Sequence, residues 1–134
     1  MLSPASARPQ VMIVEDDRSL LGALTFALEA EGYRVAAYHE ARRLLDAPPA
    51  GADCLVVDLK LPDIDGLTLI ARLRDAGITA PAILITTTPD DRCRKAAAAA
   101  GVAIVEKPLL DASLRYAIEA AVLRPRSDGP DAKP

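Results

Sequence analysis

Four short apolar runs constrain this chain more than any other feature: Val11-Met12-Ile13-Val14, Cys54-Leu55-Val56-Val57, Ala82-Ile83-Leu84-Ile85 and Val102-Ala103-Ile104-Val105. Each is too short for a helix, mostly β-branched or Leu, and without alternation, which is how strands buried on both faces of a parallel sheet read. Arg34 to Tyr38 is a weaker fifth run that suits an edge strand. Helical spacing fills the gaps. Leu20, Leu24, Ala27 and Leu28 share a face of a helix ending near Gly32, and Ala41, Leu44 and Leu45 mark a short helix stopped before Pro48-Pro49. Leu67, Ile70 and Leu73 mark a third, ending at Gly77; Arg92 to Ala100, stopped by Gly101, is the fourth; Leu114, Ala117, Ile118, Ala121 and Val122 define the fifth. Strand and helix alternate five times, which predicts an α/β domain with a parallel five-stranded sheet covered on both faces.

The length of 134 residues suits one such domain, placed at residues 10–124, with Pro-, Ser-, Ala-, Asp- and Gly-rich tails over 1–9 and 125–134, the latter expected to be disordered. The net charge of −3 is spread over mixed signs with no basic cluster, which argues against direct nucleic-acid binding. Cys54 and Cys93 fit no metal spacing and read as free thiols in a reducing compartment. No charged-then-apolar leader opens the chain. The longest uncharged stretch of the Ala-rich region, Ala96 to Val105, is far short of the roughly 20 residues of a membrane helix. The expectation is a soluble, cytoplasmic domain without membrane contact.

Acidic residues cluster where the strands end. Glu15, Asp16 and Asp17 follow the first run and Asp58 follows the third. In doubly wound sheets ligands bind at the carboxyl ends of the strands, and if strands one and three are neighbours Glu15, Asp16 and Asp58 converge. Two carboxylates about 5 Å apart at an effective dielectric near 20 repel by roughly 3 kcal/mol, so the cluster calls for a cation. Oxygen-only ligands with room for water suit Mg²⁺. Singly, such acids would read as solvated loop residues. Thr86 at the end of the fourth run and Lys107 after the fifth change that balance, because a hydroxyl and an ammonium can hold phosphoryl oxygens. Nucleophile, cation site and oxygen-binding groups together are what phosphoryl transfer needs, since its catalysis is mainly positioning and charge stabilisation.

These segments resemble response regulator receiver domains. Met12-Ile13-Val14-Glu15-Asp16-Asp17 is similar to their acidic opening, and Val57-Asp58-Leu59-Lys60-Leu61-Pro62-Asp63-Ile64-Asp65-Gly66 to their phosphorylation loop. Ile85-Thr86 and Glu106-Lys107-Pro108 match their threonine and lysine-proline signatures, and Gly77-Ile78-Thr79-Ala80-Pro81 resembles the FixJ-like subgroup. The resemblance implies a flavodoxin-like (βα)5 three-layer sandwich with strand order 2-1-3-4-5. It implies that Asp58 is the phosphoacceptor, that Thr86 and Lys107 bind the phosphoryl group, and that Asp16, Asp58 and the Lys60 backbone carbonyl ligate Mg²⁺ with Glu15 acting through water. It further implies a cis Lys107–Pro108 bond, a histidine kinase or histidine phosphotransfer protein as donor, and a downstream protein target read by the face of helix four, strand five and helix five. The domain is then not an enzyme beyond its own phosphorylation and dephosphorylation, and it is expected to stand alone without an output domain.

Two other function classes fit these residues less well. An aspartyl phosphohydrolase of the haloacid dehalogenase type needs a second Asp two residues after the nucleophile, where Lys60 stands. A phosphate-blind binding module would not need the acid, Thr and Lys set. Asp63-Ile64-Asp65-Gly66 is no EF-hand, because placing Gly66 sixth makes Leu61 first and Arg72 last. Asp65 is expected to cap the third helix, Asp17 to act as a cap or surface acid, and His39 to open the second helix. Two positions depart from the family: Thr87 stands where Ala or Gly is usual, and Ile104 where Tyr or Phe commonly rotates. Thr87 is expected to narrow access to Asp58, and Ile104 to stay packed.

Overall fold

The computed structural model describes residues 8–48, 50–109 and 112–123. The expected strand–helix alternation is present: β1 (Gln10–Val14), α1 (Arg18–Ala30), β2 (Arg34–Tyr38), α2 (Ala41–Asp46), β3 (Cys54–Asp58), α3 (Gly66–Asp75), β4 (Ala82–Thr86), α4 (Asp91–Ala99), β5 (Ala103–Glu106) and α5 (Ser113–Leu123). All strand pairs are parallel and the order is β2-β1-β3-β4-β5. The expected tails lie almost wholly outside the described residues, but Arg8 and Pro9 do not. Their carbonyls accept hydrogen bonds from Arg34, the Arg8 oxygen from Nε at 3.1 Å and the Pro9 oxygen from the backbone N at 2.9 Å.

The sheet has two apolar layers, as alternate side chains of each strand demand. Met12, Val14, Leu55, Val57 and Leu84 face α2, α3 and α4 through Leu44, Leu69, Ile70, Leu73 and Ala97. Val11, Ile13, Val56, Ile83 and Ile85 face α1 and α5 through Leu21, Leu28, Leu114 and Ile118. β1, β3 and β4 are buried along nearly their whole length, as their unbroken apolar runs require. The fifth run behaves differently. β5 is the second edge of the sheet, so Ala103 is exposed and Ile104 only half-buried, where the sequence suggested burial on both faces. Val102, read as strand, is buried but precedes β5. In α1 the inward residue is Leu21, and Ala27, expected on the core face, is exposed; in α3 Leu69 joins Ile70 and Leu73.

Helix ends follow local chemistry. Asp17, Asp65 and Asp90 cap α1, α3 and α4 by accepting hydrogen bonds from Leu20 N, from Leu67 N and Thr68 N, and from Cys93 N. α3 and α4 both end on a glycine with positive φ, Gly77 at 93° and Gly101 at 70°. The next amide then reaches back across the last turn, from Ile78 N to Leu73 O at 3.0 Å and from Val102 N to Ala97 O at 2.8 Å. Any side chain at these glycines would be strained, and the returning Ile78 and Val102 seal the helix end with apolar contact. Both cysteines are buried and free, and burial pushes the Cys54 thiol up to about 12, so it stays protonated.

Candidate phosphoryl site

β1 and β3 are neighbours with Val14 paired to Val57, so the residues leaving their carboxyl ends meet. Asp58 is the last residue of β3 rather than the first beyond it, and it is 5% exposed. Glu15 is fully buried, Thr86 is buried at the end of β4, and Asp16 is exposed. Glu15, Asp16 and Asp58 each bring a carboxylate oxygen to within 4.8 Å of the others. Lys107 lies between two of them, its Nζ 2.9 Å from Glu15 Oε1 and 3.4 Å from Asp58 Oδ2. Its backbone is fixed by the sheet ladder, with Lys107 N donating to Thr86 O at 2.7 Å, and the Lys107–Pro108 bond is cis.

The electrostatics are unbalanced. One ammonium faces three carboxylates, and burial together with the charge of Glu15 raises Asp58 to about 7 against the opposing pull of Lys107. Burial works to lower Lys107, but the hydrogen bond to Glu15 and the charges of Asp58 and Glu15 outweigh it and leave the ammonium more basic than usual. Glu15 Oε2 accepts from Asp17 N at 3.0 Å, whereas the fully buried Oε1 has no aligned hydrogen bond beside its ion pair with Lys107. A buried oxygen left in that condition and an excess of negative charge fit a hard divalent cation, and an oxygen-only donor set fits Mg²⁺ better than Zn²⁺.

The loop after β3 is tightly shaped. Lys60 N points at Asp58 Oδ1 at 3.4 Å, Lys60 bridges to Asp65, and the Lys60 side chain is exposed. Gly66 N donates to Leu59 O at 2.7 Å, so the start of α3 lies against the backbone just after β3. A Cβ at Gly66 would run into the Asp58 carbonyl oxygen and sit 3.0 Å from Leu59 Cα. Beyond closing the Val57–Gly66 loop stretch and excluding an EF-hand, Gly66 carried no expectation from sequence. Its signal was present as an Asp-Gly step directly before an apolar helix face. Asp63, also without a role, accepts from Arg42 N at 3.2 Å and so serves the first turn of α2, whose own N-cap Glu40 makes no side-chain bond. Asp17 and Asp65 act as caps, and His39 precedes α2 with its Nε2 3.0 Å from Arg18 Nη2. Thr87 is exposed immediately after Thr86, and Ile104 packs against the α3–α4 side of the core.

A doubly wound domain with buried acids, a threonine and a lysine at neighbouring strand ends belongs to the class built to handle a phosphoryl group. The comparisons narrow the class. Residues 11–119 match the model of the response regulator receiver domain. The transcriptional regulatory protein FixJ of Rhizobium meliloti is 36% identical over 113 residues, covering 83% of this chain and 55% of that protein. Nodulation protein W of Bradyrhizobium diazoefficiens is 36% identical over 124 residues, covering 91% and 55%. Among solved structures, the non-phosphorylated HemR receiver domain of Leptospira biflexa superposes with a TM-score of 0.82 at 25% identity, covering 89% of this chain and 98% of that one. The chain belongs to the response regulator receiver family and is similar to its FixJ-like members, and it spans little more than half the length of those curated relatives. It is a receiver domain of two-component signalling. No helix among the described residues is long and apolar enough to cross a membrane.

Proposed function

We propose that Asp58 accepts a phosphoryl group from a phosphohistidine on a histidine kinase or histidine phosphotransfer protein. The observation that carries this reading is the buried Asp58 carboxylate held 3.4 Å from the Lys107 ammonium and beside two further carboxylates. An Asp58 oxygen attacks phosphorus, the P–N bond to the donor imidazole breaks, and an acyl phosphate forms. Asp58 must be ionised to attack, and Lys107 favours that form. Thr86 and Lys107 then bind oxygens of the transferred group. Asp16, Asp58 and the Lys60 carbonyl would hold Mg²⁺, with Glu15 reaching it through water. The cation would neutralise the excess negative charge and the charge on the phosphoryl oxygens. The acyl phosphate shifts the balance between two conformations, which a target protein reads on the face formed by α4, β5 and α5.

The test is phosphotransfer from a cognate kinase together with beryllofluoride binding, each with and without Mg²⁺. Wild-type protein should label and should bind the analogue only with the cation, and Asp58→Asn should do neither while remaining folded. Undiminished labelling of Asp58→Asn would remove Asp58 as the acceptor, and unchanged Mg²⁺ affinity in Asp16→Ala would place the cation elsewhere.

A further inference from the structure

We propose that the α1–β2 edge of the domain is a self-association surface, where a second copy of this chain docks across a two-fold axis with its β2 antiparallel to this one. The inference is independent of the phosphoryl chemistry. β2 is an outermost strand and, among the described strands, pairs only with β1. Natural edge strands are usually guarded by proline, lysine, a bulge or brevity. β2 reads Arg-Val-Ala-Ala-Tyr, with one charge at its first position, Arg34, and no proline, lysine or bulge in its Val-Ala-Ala-Tyr remainder, whereas β5, the other edge, has four residues and runs into Glu106 and Pro108.

α1 adds three observations on the side next to β2. Phe26, the only phenylalanine of the chain, is 77% exposed. It borders a groove of about 390 Å³ shared with Gly22 on α1 and Ala37 on β2. Gly22 sits in the interior of a thirteen-residue helix, where glycine is unfavourable, yet a Cβ built there meets nothing within 4 Å. No contact inside the domain therefore explains it. The groove is also polarised, with Arg18 beside His39 at one end and Glu29 at the other.

A two-fold axis perpendicular to the sheet leaves both α1 helices on the same face and running antiparallel. The register that sets Arg18 against the partner's Glu29 also sets Phe26 beside the partner's Leu21 and Gly22. The exposed ring then enters the space that the missing side chain leaves, twice per interface, with the two charge pairs outside it. Such self-complementarity is what an isologous interface requires, and a buried aromatic in a pocket flanked by polar contacts is the usual anchor. The β2 edges extend the two sheets into one.

Sedimentation velocity of the full chain from ~1 to ~200 μM reads the association directly. The expected result is a reversible monomer–dimer equilibrium. Phe26→Glu should weaken it at least ~tenfold. Gly22→Gln should weaken it similarly while raising the melting temperature of the monomer, since it removes a helix-interior glycine. Arg18→Glu and Glu29→Arg should each weaken it, and the double variant should recover most of the loss. A protein that stays monomeric throughout overturns the proposal, including the case in which Phe26→Glu instead lowers binding to a kinase domain. A dimer indifferent to Phe26→Glu and Gly22→Gln, or charge variants that do not rescue one another, overturns it equally.

Discussion

The two rims of the sheet treat polar groups in opposite ways. At the amino rim, where strands begin, no buried side-chain nitrogen or oxygen among the described residues lacks a hydrogen bond. Asp53 Oδ2 accepts from Gln10 N at 2.8 Å, Arg74 Nη1 donates to Ile78 O and Ala80 O at 3.0 and 2.6 Å, and glycine-ended helices return their own carbonyls. At the carboxyl rim Glu15, Asp58 and Lys107 are crowded, with an excess of negative charge and a carboxyl raised to about 7. One rim closes the fold, and the other is where the proposed function would place a cation and a phosphoryl group. The contrast can be broken or sharpened by substitution on each side.

The largest effect is expected at Gly66, where both demands meet. Gly66→Ala forces a side chain against the Asp58 backbone, and we expect a loss of about 2–4 kcal/mol in urea unfolding together with loss of phosphotransfer. A change under about 0.5 kcal/mol would mean that the loop yields freely. Next is Arg74→Ala on the amino rim. Removing two charge-assisted hydrogen bonds from the turn before β4 should cost about 1.5–3 kcal/mol of stability. Phosphotransfer rates under folding conditions should stay at wild type, and a slowed transfer would show that the rims are coupled.

Asp58 gives a smaller effect with a distinctive pH dependence. Its folded pKa of about 7 lies above the ordinary 3.8, so between those values the folded protein holds a proton that the unfolded chain has released. Stability without Mg²⁺ should therefore fall as pH rises from about 4 to about 7 on account of this group, and Asp58→Asn should flatten that part of the profile. Thermal unfolding across that range measures it, and an identical slope in the variant would show that Asp58 ionises normally. The smallest effect is purely kinetic. Thr87 is exposed at the carboxyl rim, and its branched side chain is expected to narrow the approach to Asp58. Thr87→Ala should speed both phosphorylation by acetyl phosphate and decay of the acyl phosphate by up to about tenfold, equivalent to about 1.4 kcal/mol in the barrier. Equal rates in both assays would make Thr87 a neutral substitution.

The sequence exposed the carboxyl rim more plainly than the rest because each strand announces its own end. An acid, threonine or lysine directly after an apolar run is a local signal, and Glu15, Asp16, Asp58, Thr86 and Lys107 could all be read from it. What depends on strand order could not. The run Val102-Ala103-Ile104-Val105 is as apolar as Ala82-Ile83-Leu84-Ile85, and the place of β5 at the margin leaves Ala103 exposed. Helix faces were legible to within one residue. Leu20 and Leu21 are adjacent, and a broad apolar stripe does not say which of them turns inward until β2 and β1 are set beneath α1. The Glu15–Lys107 pair joins distant segments, so no window of sequence contains it, and the demand for glycine at position 66 depends on how the loop folds back onto Asp58 and Leu59, which the residue pattern alone does not show.

α4 rests on the sheet through two small side chains, Cys93 and Ala97, while α3 is seated by Leu69, Ile70 and Leu73. Its exposed alanines keep it helical without anchoring it. Detaching α4 therefore uncovers far less apolar surface than detaching α3, and the cost of local opening scales with that surface. Amide protons of α4 should thus exchange with solvent through partial opening while those of α3 wait for global unfolding. The helix joined to Thr86 by one short loop is the part of the domain that can come loose without the rest.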